Sequence, residues 1–134
     1  TMMMGDFISL TQLGVPVKVI VFNNGSLGFV AMEMKASGFI DTGTDLKNPD
    51  FAAMATAMGV TSFRVEDSDD LEPALTQALA HPGPALVDVV IASQELVIPP
   101  SIKLEQAKGF GLYVLKAVMN GRGDEVLDLA LTNL

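Results

Sequence analysis

Two oxygen donors, two residues apart, are the most chemically capable feature of this chain. Asn24 brings a side-chain carbonyl and Ser26 a main-chain carbonyl, both within the loop Asn23-Asn24-Gly25-Ser26-Leu27-Gly28-Phe29. These are hard ligands of the kind Mg²⁺ takes, usually sharing its octahedral shell with a carboxylate and with substrate phosphates. Gly25, Ser26 and Gly28 are small enough to let a ligand approach the backbone closely. A metal-anchored diphosphate is the chemistry such a loop would support. The same residues carry a second reading. Asn24-Gly25 between two apolar runs is a strong hairpin signal, and taken alone it favours a turn. Against the hairpin, Val17–Phe22 does not alternate apolar with polar, and Gly28–Lys35 suits a helix better than a returning strand.

Other polar clusters read as structure. His81, the single histidine, sits in the turn His81-Pro82-Gly83-Pro84 and reads as a surface residue. Asp67, Asp69, Asp70 and Glu72 crowd a helix start, where the helix dipole favours them. Met2, Met3, Met4, Met32, Met34, Met54 and Met58 read as gap-filling core. Cysteine is absent, which excludes disulfides, thiolate metal sites and cysteine nucleophiles, and suits a reducing compartment.

The elements that must position the loop follow from periodicity and punctuation. Met3–Leu13 reads as a helix ended by Gly14 and Pro16. Val17–Phe22 reads as a strand covered on both faces. Phe29–Ala36 reads as a short helix. Asn48-Pro49 opens another that runs to Met58, with Gly59 beyond its end. Thr61–Val65 is a strand, Ser68 caps a helix over Asp69–Ala80, and Ala85–Ile91 is a third strand of buried character. Strands alternating with helices predict an α/β fold, a parallel sheet with helices on both faces. In such folds ligands sit at the carboxyl ends of strands, which is where the Asn24 loop falls.

With 134 residues the chain is long enough to bury a core without staples. Its net charge of −8 argues against a nucleic-acid partner. The hydrophobic share is 49% and the mean hydropathy +0.41, which hints at surface buried against something else. Residues 1–100 hold all of the net negative charge, and the change falls at Pro99-Pro100. The predicted organisation is a body over 1–94, then a linker and amphipathic helical tail over 95–134. In the tail, Ile102–Met119 reads as a helix that Gly109 and Gly111 weaken, with a break expected near them. Val126, Leu127, Ala130, Leu131 and Leu134 share one face of a last helix. Such a face packs on protein or lies in a membrane interface, and the charge pattern alone favours the former. No segment is apolar enough over about 20 residues to span a membrane.

Several phrases carry a resemblance. Val-Ile-Val-Phe-Asn-Asn at 19–24 resembles the end of the thiamine-diphosphate motif, whose Gly-Asp-Gly opening falls before Thr1. Leu27–Lys35, the tail phrase Ile98–Phe110 and Gly121–Val126 resemble the C-terminal part of the quinone-dependent pyruvate dehydrogenases of bacteria, also called pyruvate oxidases. The likeness runs over essentially the whole chain. It implies a partial thiamine-diphosphate-binding fold followed by a membrane-binding helical tail over 102–134.

The resemblance also implies roles. Asn24 and the main-chain oxygen of Ser26 match the Mg²⁺ ligands. Asn24, Gly25, Ser26, Leu27, Gly28, Phe29 and Val30 match the stretch around the cofactor. Phe29 matches an aromatic between thiamine and flavin that serves electron transfer, and Glu33 a carboxylate bordering the active site. On the residues alone, Phe29 reads as a core aromatic and Glu33 as a solvated helix residue. The implied reaction is oxidative decarboxylation of pyruvate to acetate and CO₂, with electrons passing through FAD to a membrane quinone. The implied setting is a homo-oligomer, cytoplasmic and peripheral on the inner membrane, whose tail folds over the site at rest and binds lipid when released. The Asp ligand, the glutamate that activates the cofactor and the flavin domain lie outside this sequence. The chain therefore reads as a fragment, inactive alone. Two alternatives stand beside this: part of an acetolactate synthase-like keto-acid decarboxylase, or a stand-alone lipid-binding or structural module.

Overall fold

The computed structural model describes residues 3–94 and 103–133. Its elements are α1 (Ile8–Leu13), β1 (Lys18–Asn23), α2 (Gly28–Ala36), α3 (Phe51–Ala57), β2 (Thr61–Val65), α4 (Leu71–Ala80), β3 (Ala85–Val90), α5 (Leu104–Met119) and α6 (Gly123–Thr132). The three strands form one parallel sheet in the order β1-β3-β2. The α/β class and the helical C-terminal region are as the sequence predicts.

The chain forms two compact units, each discontinuous in sequence. One comprises Thr1–Asn23 and Asn48–Ile91, the other Asn24–Lys47 and Ala92–Leu134. The first holds the sheet. On one face Val65, Val87 and Val89 bury against Ala74 and Ala78 of α4. On the other, Leu86 and Val60 pack against Phe51 and Ala55 of α3, with Phe7, Val19 and Val21 at the margin. The central strand β3 is buried along five of its six residues, which accounts for its near-continuous apolar run. Coverage of β1 differs from expectation: Ile20 and Phe22 are exposed, Phe22 at 72%. The cause is position, since β1 is an edge strand and α4 packs on β2 and β3.

Element boundaries shift where caps decide them. A 3₁₀ turn over Met4–Asp6 precedes α1, so the first helix is shorter than Met3–Leu13. α3 begins at Phe51 rather than at Pro49, because Asp50 is the cap and its carboxylate accepts from Ala53 N at 2.8 Å. α4 begins at Leu71 rather than at Asp69, because a 3₁₀ turn over Ser68–Asp70 precedes it; that turn is capped by Asp67 rather than Ser68, with Asp67 accepting from Asp69 N at 3.0 Å. His81 is half-buried and partnered: its Nε2 lies 3.1 Å from Thr61 Oγ1, and its carbonyl accepts from Lys18 Nζ at 2.6 Å.

The second unit is α2 with the α5–α6 pair. Here α5 runs unbroken through Gly109 and Gly111, correcting the expected break. Gly109 serves a close approach: a Cβ there would stand 2.0 Å from Ala36 O of α2. Tyr113 and Ala117 are the buried residues of α5, and Leu129 that of α6. The inward stripe of α6 is thus Val126 and Leu129, while Leu127, Ala130 and Leu131 face out. That separates two faces which the sequence merged into one. Leu134 and residues 95–102, with the linker and the start of the tail phrase, lie outside the described residues.

Candidate functional site

The Asn24 loop is not a hairpin. β1 pairs in parallel with β3, and Gly28–Ala36 is helical. Gly25 takes a left-handed conformation at φ +62, and the chain then meets residues 44–46 in a short antiparallel bridge at Ser26 and Asp45. Leu46 N donates to Gly25 O and Leu27 N to Thr44 O, each at 2.8 Å. These two bonds flank Ser26, so its own N–H and C=O point away from the 44–46 segment. The N–H donates to Asn24 Oδ1 at 3.2 Å, and the carbonyl leaves the backbone on that same edge. An amide oxygen has a second lone pair, so Asn24 Oδ1 keeps capacity for another partner.

Glycine at 28 serves this arrangement. A Cβ there would meet Asn24 Nδ2 at 3.2 Å, tighter than ordinary van der Waals contact. Leu27 stands at the N-cap of α2 with no side-chain cap bond. The first-turn amides of α2 therefore face the loop uncapped by that side chain, with the positive end of the helix dipole behind them. Two oxygen donors beside an uncapped helix start form a cradle of the right chemistry for a cation and a diphosphate. Phe29, Val30 and Leu27 are exposed, Phe29 at 67%, and Glu33 is exposed on α2. Among the described residues no group of three His, Cys, Asp or Glu is arranged to hold a metal.

The first unit holds a network that the motif reading missed. Asp88, on the central strand, is fully buried. Its Oδ1 accepts from Asn23 Nδ2 at 3.0 Å and its Oδ2 from Arg64 Nη1 at 2.8 Å. Asn23 Oδ1 in turn accepts from Asn48 Nδ2 at 2.8 Å. The hydrogen bond from Arg64 to Glu66, at 2.7 Å, raises the Arg64 pKa further. The signal was an acid inside the apolar run Ala85-Leu86-Val87-Asp88-Val89-Val90, which has to be paired to be buried.

The second unit holds its own buried charges. Lys35, 4% exposed, donates to Gln94 Oε1 at 2.9 Å, lies 3.7 Å from Asp41 Oδ2, and sits 5.5 Å from the Tyr113 ring centroid. Arg122 bridges Asp41 at 3.1 Å and grips both oxygens of Glu125 at 2.6 Å. That grip, with the nearby Asp41, holds the Arg122 pKa well above its ordinary value. Burial first, then Asp41 and Glu125, pushes the Tyr113 phenol up, with Arg122 opposing.

Comparison with known proteins defines the class. The family described as thiamine pyrophosphate enzyme, C-terminal TPP binding domain, matches residues 1–89. The chain belongs to this family. Among its relatives, a thiamine pyrophosphate-containing protein of Bacillus subtilis is 37% identical over 116 residues, covering 87% of this chain and 20% of its own length. The mitochondrial acetolactate synthase of Schizosaccharomyces pombe is 33% identical over 97 residues, covering 70% of this chain and 14% of its own length. That of Saccharomyces cerevisiae is 32% identical over 101 residues, covering 73% and 14%. The chain thus spans a fifth or less of the length of these relatives.

Proposed function

We propose that this chain supplies the Mg²⁺- and diphosphate-holding loop of a thiamine-diphosphate enzyme acting on pyruvate. The observation that carries the reading is the Asn24–Gly28 loop. Its two oxygen donors stand on one edge, next to a glycine that makes room and an uncapped helix start. Asn24 Oδ1 and the Ser26 carbonyl would hold the cation, and the first turn of α2 would meet the diphosphate. When bound, thiamine diphosphate supplies a carbon nucleophile for the keto group and a sink for the electrons released with CO₂. The chain's own part is to fix that cofactor in place, which converts binding into orientation. Phe29 and Glu33, exposed on α2, are the residues free to border the substrate.

The finer reading is the pyruvate oxidase one, with acetate as product, FAD and a membrane quinone as electron carriers, and a homo-oligomer on the cytoplasmic face of the inner membrane. It is supported by the Leu27–Lys35, Ile98–Phe110 and Gly121–Val126 phrases. The 116-residue match to the Bacillus protein has to enter residues 95–134, so that relative shares part of the tail. An acetolactate synthase is the second reading, favoured by the names of several relatives. Their matches, of 97 and 101 residues, are short enough to lie almost wholly in the body.

The test uses Mn²⁺ in place of Mg²⁺ with thiamine diphosphate and the full chain, because paramagnetic broadening detects weak binding. The amide signals of Gly25 to Gly28 should broaden only when both are present, and Asn24→Ala should abolish the effect. Broadening that ignores the cofactor, or that survives Asn24→Ala, would overturn the reading.

A further inference from the structure

The chain crosses between its two units three times, after Asn23, before Asn48 and after Ile91. Asn23 is bonded at every one of these points. Its main-chain oxygen accepts from Ile91 N at 3.1 Å, and its side-chain oxygen from Asn48 at 2.8 Å. Its side-chain nitrogen donates to Asp88 at 3.0 Å. With the amide used at both ends, the side chain has one orientation and no alternative flip. Asp88 is held in its turn by Arg64 at 2.8 Å, so both carboxylate oxygens of this fully buried group are paired. The order of bonds along the excursion is informative. Gly25 pairs with Leu46 and Leu27 with Thr44. The Asn23–Asn48 side-chain bond joins the two residues that flank the 24–47 excursion in the chain.

We propose that Asn23 is a positioning residue for the Asn24 loop. Anchored through Asp88 and Arg64, it ties the two ends of the 24–47 excursion together, so that the ladder at Gly25 and Leu27 cannot fray from its root. The proposal rests on reading Asn24 and Ser26 as the cation donors, for which Asn23 is the fixed point one residue upstream. Asn23 touches neither ligand in this scheme. Tying the ends of a chain excursion removes conformational freedom that the ladder alone would have to overcome.

A charge exchange separates this role from general stability. Asn23→Asp places a carboxylate against Asp88 and removes the donor. Amide exchange at Leu46 and Leu27 should then quicken by about tenfold or more, the worth of one charged hydrogen bond. Leu86 and Val87 in β3 should keep their exchange rates. Adding Asp88→Asn should restore the loop. The new carboxylate at position 23 then accepts from Asn48 and from the new amide at position 88, whose oxygen accepts from Arg64. If Asn23→Asp does not fold, Asn48→Ala cuts a single bond and should quicken the same two amides by about threefold or more. Unchanged loop exchange, an equal rise at Leu86 and Val87, or no recovery in the double variant where the single one folds, would overturn the proposal. These measurements are made without ligand. Failure of Mn²⁺ and thiamine diphosphate to broaden the loop in the wild-type chain would count against the donor reading and leave the Asn23 tie itself standing.

Discussion

Tyr113 shows how a single group can work against its own surroundings. Its ring is fully buried beside Lys35, yet its hydroxyl has no hydrogen-bond partner among the described residues. An unpaired buried hydroxyl costs about 1–3 kcal/mol. Tyr113→Phe keeps the ring and removes the cost, so it should stabilise the protein by about 1 kcal/mol, seen as a higher denaturant midpoint. A pH dependence follows. Burial raises the phenol pKa above its ordinary 10.0, so the folded state holds the proton more tightly than the unfolded one. The stability this carries is whole below about pH 10 and is lost as pH rises through the higher folded value. Urea melts of wild type should therefore steepen in their decline above pH 10, and those of Tyr113→Phe should decline less. Asn24, Gly25, Ser26 and Gly28 stand out in the sequence as candidates because their chemistry is local to one loop. Asp88 and Asn48 were not used, because their partners come from other strands and from a residue 25 positions away.

Among the elements, α5 separates propensity from packing. Gly109 and Gly111 lie in the same helix and carry the same intrinsic penalty of about 1 kcal/mol relative to Ala. Their surroundings differ. Nothing stands within 4 Å of a Cβ at Gly111, whereas one at Gly109 would overlap Ala36 O at 2.0 Å. Gly111→Ala should raise stability by about 0.5–1 kcal/mol. Gly109→Ala should lower it by about 1–3 kcal/mol, because α5 has to move off α2. Chemical denaturation of the two variants side by side checks both signs. A sequence reading assigns both glycines the same cost, because the helix that α5 meets is 68 or more residues away in the chain. The same reasoning explains why helix and strand types were legible while the caps at Asp50 and Asp67 were misplaced: periodicity spans many residues, but a cap is one hydrogen bond.

In the whole molecule, the two units are built on different principles. The first closes on apolar clusters either side of the sheet, and the second has a chain of paired charges from the buried Lys35 through Asp41 to the half-buried Arg122 and Glu125. Because α5 and α6 pack within their unit through Tyr113, Ala117 and Leu129, their outer apolar residues stay exposed. Leu115, Met119, Leu127 and Leu131 are each more than 60% exposed. Among the described residues no helix is long and apolar enough to cross a membrane, so an interfacial attachment is the form a lipid contact would take. If the tail meets lipid, the wild-type chain should float with liposomes, and replacing these four residues by Gln should cut the floated fraction at least severalfold. Equal flotation of the two would place the lipid contact elsewhere or dismiss it.

By itself the sequence determined the α/β class, the order of helices and strands, and the Asn24 loop at the end of the first strand. Each of these is written in neighbouring residues, through periodicity, turn chemistry and donor type. Only the tertiary structure decided the rest. It made Lys18–Asn23 an edge strand with one open face, ran α5 straight through two glycines, split the apolar residues of α6 between two faces, and bonded Asn23 to Asp88 and Asn48. Those outcomes depend on which distant residues come to share a place, and no local pattern of residue types encodes the partner on the other side.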